Sequence, residues 1–171
     1  MSESERVKRF IRVDHAGEYG AERIYAGQLA VLGRGPKGDM LRHMLAQETV
    51  HKQAFEALIA QRRSRPTALL PLWHIAGFAL GALTAALGEK AAMACTVAVE
   101  ETIDQHYADQ RDALGAQEAE LAETIEAFRL EELEHRDIGL EHGAEQAPGY
   151  KVLSGLIRLG CKAAITLSEV V

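Results

Sequence analysis

The chain has 171 residues and a mass of 18.7 kDa, which favours a single domain, residues 1–171, with room for a sizeable core. Its 19 basic residues are scattered among 25 acidic ones and give a net charge of -6, so we expect no nucleic-acid partner. Cys95 and Cys161 lie in apolar runs, as small buried thiols of a reducing compartment do. The first residues lack an apolar signal core, which predicts a place in the cytoplasm or on the inner face of a membrane.

The apolar pattern predicts a first helix over about residues 4–32. Gly17 and Gly20 lie inside it, although glycine costs about 1 kcal/mol at an interior helix position. Close helix packing or the approach of a ligand would explain them. A second helix is predicted over about residues 39–63, with Asp39 as its N-cap.

Residues 66–88 contain no formally charged side chain and are apolar on every side. Their number is near the roughly 20 residues that span a bilayer, but Pro71, His74 and repeated Gly and Ala weaken a spanning helix. A buried core helix, a helix at a membrane interface and a true span all stay open. The interfacial helix is favoured, because Trp73 and His74 near one end suit an interface.

Three further helices are predicted over about residues 89–114, 117–142 and 150–169. Gly115 and the turn at Pro148 separate them. No segment has the alternating pattern of a strand. The sequence therefore predicts an all-α protein of about six helices, the last of them amphipathic to apolar.

The motif Glu-x-x-His occurs in two of the predicted helices. Residues three apart share a helix face, so each motif can offer a carboxylate oxygen and an imidazole nitrogen to one point. Each motif follows a single Glu on an earlier helix, by 30 and by 32 residues, so the two halves of the chain look like copies. A four-helix core with pseudo-twofold symmetry would bring all six side chains to its centre, as a carboxylate-bridged metal pair requires. The candidate metal ligands are Glu18, Glu48, His51, Glu100, Glu132 and His135.

The register of the second half leaves alternatives open. Glu101 could replace Glu100 as the single carboxylate. Glu131, four residues before His135, could replace Glu132. The spacing match to the first half favours Glu100 and Glu132.

Other polar residues of these helices are weaker candidates. Glu22 and Asp104 each follow a single Glu by four residues, either as partners that orient the ligand imidazoles or as plain exposed charges. His106 lies off the helix face of Glu100, and four other histidines have no matched partner, so we expect none of the five to bind metal. The four are His15, His43, His74 and His142.

Four carboxylates and two imidazoles form a hard, oxygen-rich site, which suits Fe or Mn better than Zn. A metal pair of this kind reduces O2, and the surrounding protein decides what meets the oxidised product. The generic outcomes are hydroxylation or desaturation, iron storage, and peroxide reduction.

Several longer runs carry a resemblance to a known family. They are RVDHAGEYGA at 12–21, IYAGQ at 24–28, PLW at 71–73, GFALG at 77–81, AMACTVAVEE at 92–101 and EELEHRDIGL at 131–140. Spread over essentially the whole chain, these runs resemble the demethoxyubiquinone hydroxylase family.

That resemblance implies a ferritin-like monooxygenase with two Fe ions, bound by the same six ligands. It implies a reaction in which O2 and an external electron donor such as NADH hydroxylate the ring of a polyprenyl methoxy-benzoquinone, demethoxyubiquinone or its quinol, in ubiquinone biosynthesis. No Gly-rich nucleotide fingerprint follows a strand, so electrons would come through the quinone or another protein. Residues 66–88 and the last helix would wall the route of the quinone.

The resemblance also implies a peripheral protein of the inner membrane, here the cytoplasmic face of a bacterial cell membrane. Eukaryotic members work with a lipid-binding accessory protein in a biosynthetic complex. Whether such a complex or a homo-oligomer forms here stays open.

Two tyrosines repeat with the candidate ligands. Tyr25 and Tyr107 each follow a single Glu by seven residues, which is nearly two helical turns and places them on the same face. We expect both near the metals, where they relay electrons or protons, bind the quinone head, or simply pack with a satisfied hydroxyl. His106, beside Tyr107, is a third candidate for contacting the quinone or relaying electrons.

Two rival functions remain. The first is a ferritin-like iron-storage or peroxide-reducing protein, which the lack of a Cys-x-x-Cys motif and the long apolar stretch disfavour. The second is a non-catalytic quinone-binding or lipid-binding subunit whose carboxylates form a polar core. Buried carboxylates without a counter-charge are too costly to make this second function attractive.

Overall fold

A computed structural model describes residues 2–171. Over that range the chain forms six α-helices and two short 3-10 turns, with no strand, which confirms the predicted all-α class and helix number. The helices are α1 Glu3–Leu32, α2 Gly35–Arg62, α3 Leu70–Ala86, α4 Glu89–Ala113, α5 Ala119–Glu141 and α6 Tyr150–Val170.

Helices α1, α2, α4 and α5 form a ferritin-like four-helix bundle. α1 packs along α2 and α4 packs along α5, so each half of the chain contributes one helix hairpin. Helices α3 and α6 lie outside the four and cover one side of the bundle against α1 and α4. The halves suggested by the repeated motif are therefore the two hairpins of the bundle.

The start of α2 differs from the prediction. The helix begins at Gly35, with Pro36 in its first turn, where the fixed φ of proline suits a helix and its missing N–H leaves no donor unpaired. Asp39 lies inside the helix and pairs with Arg42 at 2.6 Å, so its assignment as the N-cap was wrong.

Two apolar clusters fill the bundle on either side of its middle. Each of the four helices contributes to both, and its candidate ligands lie between the two contributions. On α2, for example, Leu41 and Met44 belong to one cluster and Phe55 to the other, with Glu48 and His51 between them. The middle of the bundle is thus closed to water from both ends.

Glycines bring α3 unusually close to α1. A Cβ atom added at Gly77 would lie 2.8 Å from the carbonyl oxygen of Gly20, and one added at Gly27 or Gly81 would overlap the opposite backbone. A Cβ added at Gly17 or Gly20 meets nothing within 4 Å. Close packing therefore explains the glycines at 27, 77 and 81, whereas Gly17 and Gly20 border open space.

Only one side of α3 is buried. Gly77 and Gly81 face the bundle, while the side chains of Ile75 and Leu83 are 70% and 67% exposed. The buried-core expectation for residues 66–88 is therefore wrong for the outer side of this helix. Within residues 2–171 no helix combines the length and the apolar character needed to cross a membrane.

Helix α6 continues the exposed apolar surface of α3. Leu156 and Leu159 are 65% and 67% exposed, and Trp73 Nε1 of α3 donates to Ser168 Oγ of α6 at 3.1 Å. The outer sides of these two helices are named the apolar face below. Its exposed members are Leu72, Ile75, Leu83, Leu87, Val152, Leu156, Leu159, Leu167, Val170 and Val171.

Candidate metal centre

Each helix of the bundle places one carboxylate in its middle, and α2 and α5 each add an imidazole one turn further along. All six side chains are buried and at most 1% exposed. They are the six that the spacing singled out: Glu18, Glu48, His51, Glu100, Glu132 and His135.

The six residues form two overlapping groups, and within each group one potential ligand atom per residue lies within 4.8 Å of the others. The first group is Glu18, Glu48, His51 and Glu132; the second is Glu48, Glu100, Glu132 and His135. Each contains three carboxylates and one imidazole, and two carboxylates are common to both. Two neighbouring metal ions with shared carboxylates need this arrangement.

The chemistry of the donors fits such a metal pair. Both oxygens of Glu48 and one oxygen each of Glu18, Glu100 and Glu132 are buried without a hydrogen-bond partner in residues 2–171. Buried charges of this kind are unfavourable unless a counter-charge binds them. Two divalent ions carry four positive charges, which equal the four carboxylates, and oxygen-rich sites suit Fe and Mn.

Both imidazoles turn the same nitrogen inward. His51 Nδ1 lies 3.1 Å from Glu132 Oε1 and 3.5 Å from Glu18 Oε2. His135 Nδ1 lies 3.1 Å from Glu48 Oε1 and 3.4 Å from Glu132 Oε2. Nδ1 is therefore the atom that each histidine offers to the centre, and Nε2 points out of it.

The Nε2 atoms of the two imidazoles contact two residues that the sequence analysis does not predict as orienting partners. His51 Nε2 lies 3.0 Å from Glu131 Oε2, and His135 Nε2 lies 3.0 Å from Gln47 Oε1. Gln47 Nε2 also donates to Glu131 Oε2 at 3.1 Å. These contacts fix each ring with its Nδ1 atom inward. The sequence could have pointed to them by position, because Gln47 and Glu131 each directly precede the Glu of a Glu-x-x-His motif.

The two predicted tyrosines contact the carboxylates of the opposite half. Tyr25 donates to Glu100 Oε1 at 2.6 Å, and Tyr107 donates to Glu18 Oε1. Burial, followed by the nearby carboxylates, raises the pKa of both phenols well above the usual value. Both therefore stay protonated donors, each of which fixes one oxygen of its carboxylate.

The weaker candidates lie apart from the six. Glu22 pairs with Lys52 at 2.7 Å and Asp104 pairs with Arg129 at 2.6 Å. These ion pairs join neighbouring helices at the outside of the bundle. The side chains that orient the imidazoles are instead Glu131 and Gln47, which directly precede the motifs.

The other histidines are not among the clustered ligands. His106 Nε2 lies 3.3 Å from Asp14 Oδ1 and 2.8 Å from Gln110 Nε2. His15 lies 3.7 Å from Glu56. Exposed positions elsewhere hold the remaining three: His43, His74 and His142.

An apolar cavity of about 560 Å³ lies between α1, α3, α4 and α6, and none of the six candidate ligands lines it. Gly17 and Val99 line it, and they are the chain neighbours of Glu18 and Glu100. Gly20 borders the same space, which accounts for the room beside both α1 glycines. The cavity extends from the ligand-bearing helices to the inner side of the apolar face.

A second, basic cavity of about 260 Å³ lies between the start of α1 and the segment after α2. One acidic residue, Glu5, lines it beside the basic residues Lys8, Arg9, Arg12, Arg63 and Arg65. Burial, followed by repulsion from two of the other arginines, lowers the pKa of Arg12. The cavity thus has an excess of positive charge.

Protons take the place of metal charge when the centre is metal-free. Burial alone would raise the pKa of Glu132 and lower that of His51, but hydrogen bonds reverse both effects. Glu132 is bonded to His135 and His51, and His51 is bonded to Glu132 and Glu18. The pKa of Glu132 falls to about 2 and that of His51 rises to about 11. Burial, followed by the neighbouring carboxylates, raises the pKa of Glu48 and Glu100 well above the ordinary 4.5.

These shifts predict a pH dependence for the metal-free protein. Above pH 4.5 the unfolded chain releases the protons of Glu48 and Glu100 while the folded chain keeps them, so the free energy of unfolding falls as pH rises. The raised pKa of His51 acts in the same direction above pH 6.5. Metal replaces these protons, so the gain in melting temperature on adding Mn²⁺ grows with pH.

Thermal unfolding followed by circular dichroism between about pH 5 and pH 8, with EDTA or with Mn²⁺, measures both trends. Glu48→Gln removes one of the raised carboxyls and should flatten the slope of the metal-free protein. A melting temperature that rises with pH in EDTA would contradict the prediction.

Comparison with known proteins agrees with this geometry. The family model of ubiquinone biosynthesis protein COQ7 matches residues 5–168. A Rhodospirillum rubrum protein named 3-demethoxyubiquinol 3-hydroxylase is 65% identical over 164 residues, covering 95% of this chain and 77% of the relative. A human protein named NADPH-dependent 3-demethoxyubiquinone 3-hydroxylase, mitochondrial, is 56% identical over 167 residues, with 95% and 77% covered.

A Saccharomyces cerevisiae protein named 5-demethoxyubiquinone hydroxylase, mitochondrial, is 42% identical over 180 residues, covering 95% of this chain and 77% of the relative. Similarity at this level extends over nearly the whole chain and confirms the resemblance of its motifs. The chain belongs to the ubiquinone biosynthesis protein COQ7 family, whose relatives carry the names of demethoxyubiquinone hydroxylases.

Proposed function

We propose that this chain is a monooxygenase of ubiquinone biosynthesis that uses O2 to hydroxylate the ring of demethoxyubiquinone or its quinol. The observation that carries the proposal is the pair of buried Glu/His groups, two of whose helices, α1 and α4, also wall an apolar cavity. The names of the relatives in bacteria, mammals and yeast support the same reaction.

Two iron ions are the metals we propose for the two groups, with Glu18, Glu48, His51 and Glu132 around one position and Glu100 and His135 completing the other. Iron bound there supplies the activation of O2. The tyrosines hold the outer oxygen of each unshared carboxylate, which leaves its second oxygen free to face the centre.

The quinone would enter through the apolar cavity with its ring toward α1. The cavity volume of about 560 Å³ is within the range of small-molecule sites. Gly17 and Gly20 have no Cβ atoms and border the cavity, so a flat ring can approach the backbone of α1 closely. The two apolar clusters exclude water from both ends of the bundle, which protects an oxidising centre from side reactions.

The electron donor we propose is a reduced pyridine nucleotide, NADH or NADPH. Several relatives are named NADPH-dependent, and the basic cavity offers five cations for the phosphates of such a donor. Arginine binds phosphate with paired, charge-assisted hydrogen bonds. His106 of α4 lies 3.3 Å from Asp14 of α1, precedes Tyr107 in the chain, and stays a candidate for relaying electrons.

Arg9→Gln is expected to raise the KM for NADH about tenfold with little change in kcat, because one charge-assisted hydrogen bond is lost, a cost of about 1.5 kcal/mol. Steady-state kinetics with varied NADH measure the split. Arg34→Gln is the matched control, since Arg34 is exposed and outside the cavity. An unchanged KM in Arg9→Gln would reject the basic cavity as the nucleotide site.

Peripheral docking on the cytoplasmic face of a bacterial cell membrane would give the enzyme access to a lipid quinone. We propose that the apolar face carries this docking, because it lies directly outside the apolar cavity and exposes ten large apolar side chains. A helix pair of this kind can insert its exposed side chains into the interface without crossing the bilayer.

Ile75→Asp combined with Leu83→Asp is expected to weaken binding to liposomes at least about a hundredfold. Each buried Ile or Leu contributes about 1.5 kcal/mol or more, and the added charges oppose insertion. Flotation with liposomes measures the loss. The control is Val50→Asp combined with Leu130→Asp, since these residues are 59% and 55% exposed on the other side of the bundle. An equal loss of liposome binding in both double variants would reject the apolar face as the docking surface.

Quinone extraction tests the reaction itself. A strain that lacks the protein should accumulate the demethoxy precursor, and the wild-type gene should clear it. A precursor pool that is the same with and without the protein would overturn the proposed function.

A further inference from the structure

Two metal positions with the same first ligands need not bind metal equally. Each group contains three carboxylates and one imidazole, and Glu48 and Glu132 are common to both. The tyrosines also repeat, one on each unshared carboxylate. Any difference in affinity must therefore come from residues around the ligands.

The outward side of the two imidazoles provides such a difference. His51 Nε2 lies 3.0 Å from a carboxylate oxygen of Glu131, while His135 Nε2 lies 3.0 Å from the amide oxygen of Gln47. The two partners occupy the same place in the repeat, one residue before the Glu of each motif. The position is thus repeated but the charge is not.

We infer that Glu131 and Gln47 make the two metal positions unequal, and that the position of His51 binds metal first and more tightly. This inference rests on the proposed metal centre. A carboxylate that accepts the Nε2 proton makes the imidazole a stronger donor through Nδ1 than a neutral amide does. Its charge adds to the attraction for a cation at the His51 position.

The two partners also join the two imidazoles through one continuous hydrogen-bond network. Gln47 Nε2 donates to Glu131 Oε2 at 3.1 Å, so the side chains of α2 and α5 hold each other in place. The side chain of Glu131 is 40% exposed, whereas the ligands are fully buried. A reciprocal exchange, Gln47→Glu with Glu131→Gln, keeps this hydrogen-bond network and the total charge, but places the carboxylate beside His135 Nε2 instead of His51 Nε2.

The expected result uses Mn²⁺ alone as the probe. Titration calorimetry of the full, metal-free chain should resolve two binding steps whose dissociation constants differ about tenfold or more, the usual effect of an outer partner on affinity. Anomalous diffraction from crystals given one equivalent of Mn²⁺ should show the first ion beside His51 and Glu18. The exchanged variant should shift occupancy toward His135 and Glu100 by about tenfold.

Glu131→Gln alone should bring the two dissociation constants together. Glu134→Gln is the matched control, because it removes an equal charge from an exposed place on α5 and should leave the order unchanged. Two equal steps in the wild type, or an order that the exchange does not alter, overturns the inference. Absence of any Mn²⁺ binding would instead reject the proposed metal centre, and equal melting curves of the metal-free variants exclude a folding defect.

Discussion

Glu132→Ala is expected to empty both metal positions at once. Its carboxylate belongs to both four-residue groups, so its loss removes a ligand from each. Glu18→Ala and Glu100→Ala each remove a ligand from one group only and should leave about one iron of the two that such a centre holds. Iron per chain, measured by mass spectrometry after anaerobic reconstitution, should therefore fall in two distinct steps.

Hydroxylation should fall more than about a hundredfold in Glu132→Ala, since even outer partners of a ligand commonly cost 10- to 100-fold. Glu134→Ala is the control, with an exposed carboxylate on the same helix. A circular dichroism spectrum and a melting curve close to those of the metal-free wild type would show that the variant keeps its fold. Two irons per chain in Glu132→Ala would contradict the proposed site.

The spacing of residues along the chain predicts the six candidate metal ligands. Residues three apart on α2 and α5 meet at one point, and the matched distances to the preceding acids put a carboxylate on each of the other two helices. These relations depend on helix geometry alone, so the sequence contains them. The six residues do come together in two groups that could hold metal ions.

Contacts between the hairpins were beyond such reasoning. Tyr25 lies seven residues after Glu18, yet it donates to Glu100, 75 positions away. Gln47 likewise reaches His135 across the bundle. Both contacts depend on how the hairpins pack, and a helical period says nothing about the register between two helices.

Competing local signals account for the error at the start of α2. Asp39 has the chemistry of an N-cap, but Gly35 and Pro36 precede it and begin the helix one turn earlier. Proline in the first turn costs nothing there.

The apolar stretch was ambiguous for another reason: composition indicates burial in general, and only the fold separates the side of α3 that faces α1 from the side left exposed.

Gly17→Leu is expected to block the reaction while the metal centre stays intact. A Cβ atom added at this position meets nothing within 4 Å, and Gly17 lines the apolar cavity, so a leucine side chain there would project into it. A ring displaced by about 1 Å can lose about a hundredfold in rate, so kcat/KM for a short-chain demethoxyubiquinone analogue should fall at least that much. Iron content should remain that of the wild type.

The same change should stabilise the fold, which separates obstruction from damage. Glycine inside a helix costs about 1 kcal/mol relative to good helix formers, and a Cβ atom at position 17 meets no neighbour within 4 Å. Gly17→Ala should give a smaller kinetic loss with an equal gain in melting temperature. Gly155→Leu, exposed on α6 and outside the cavity, should keep full activity. Full activity in Gly17→Leu would mean that the quinone reaches the metals by another route.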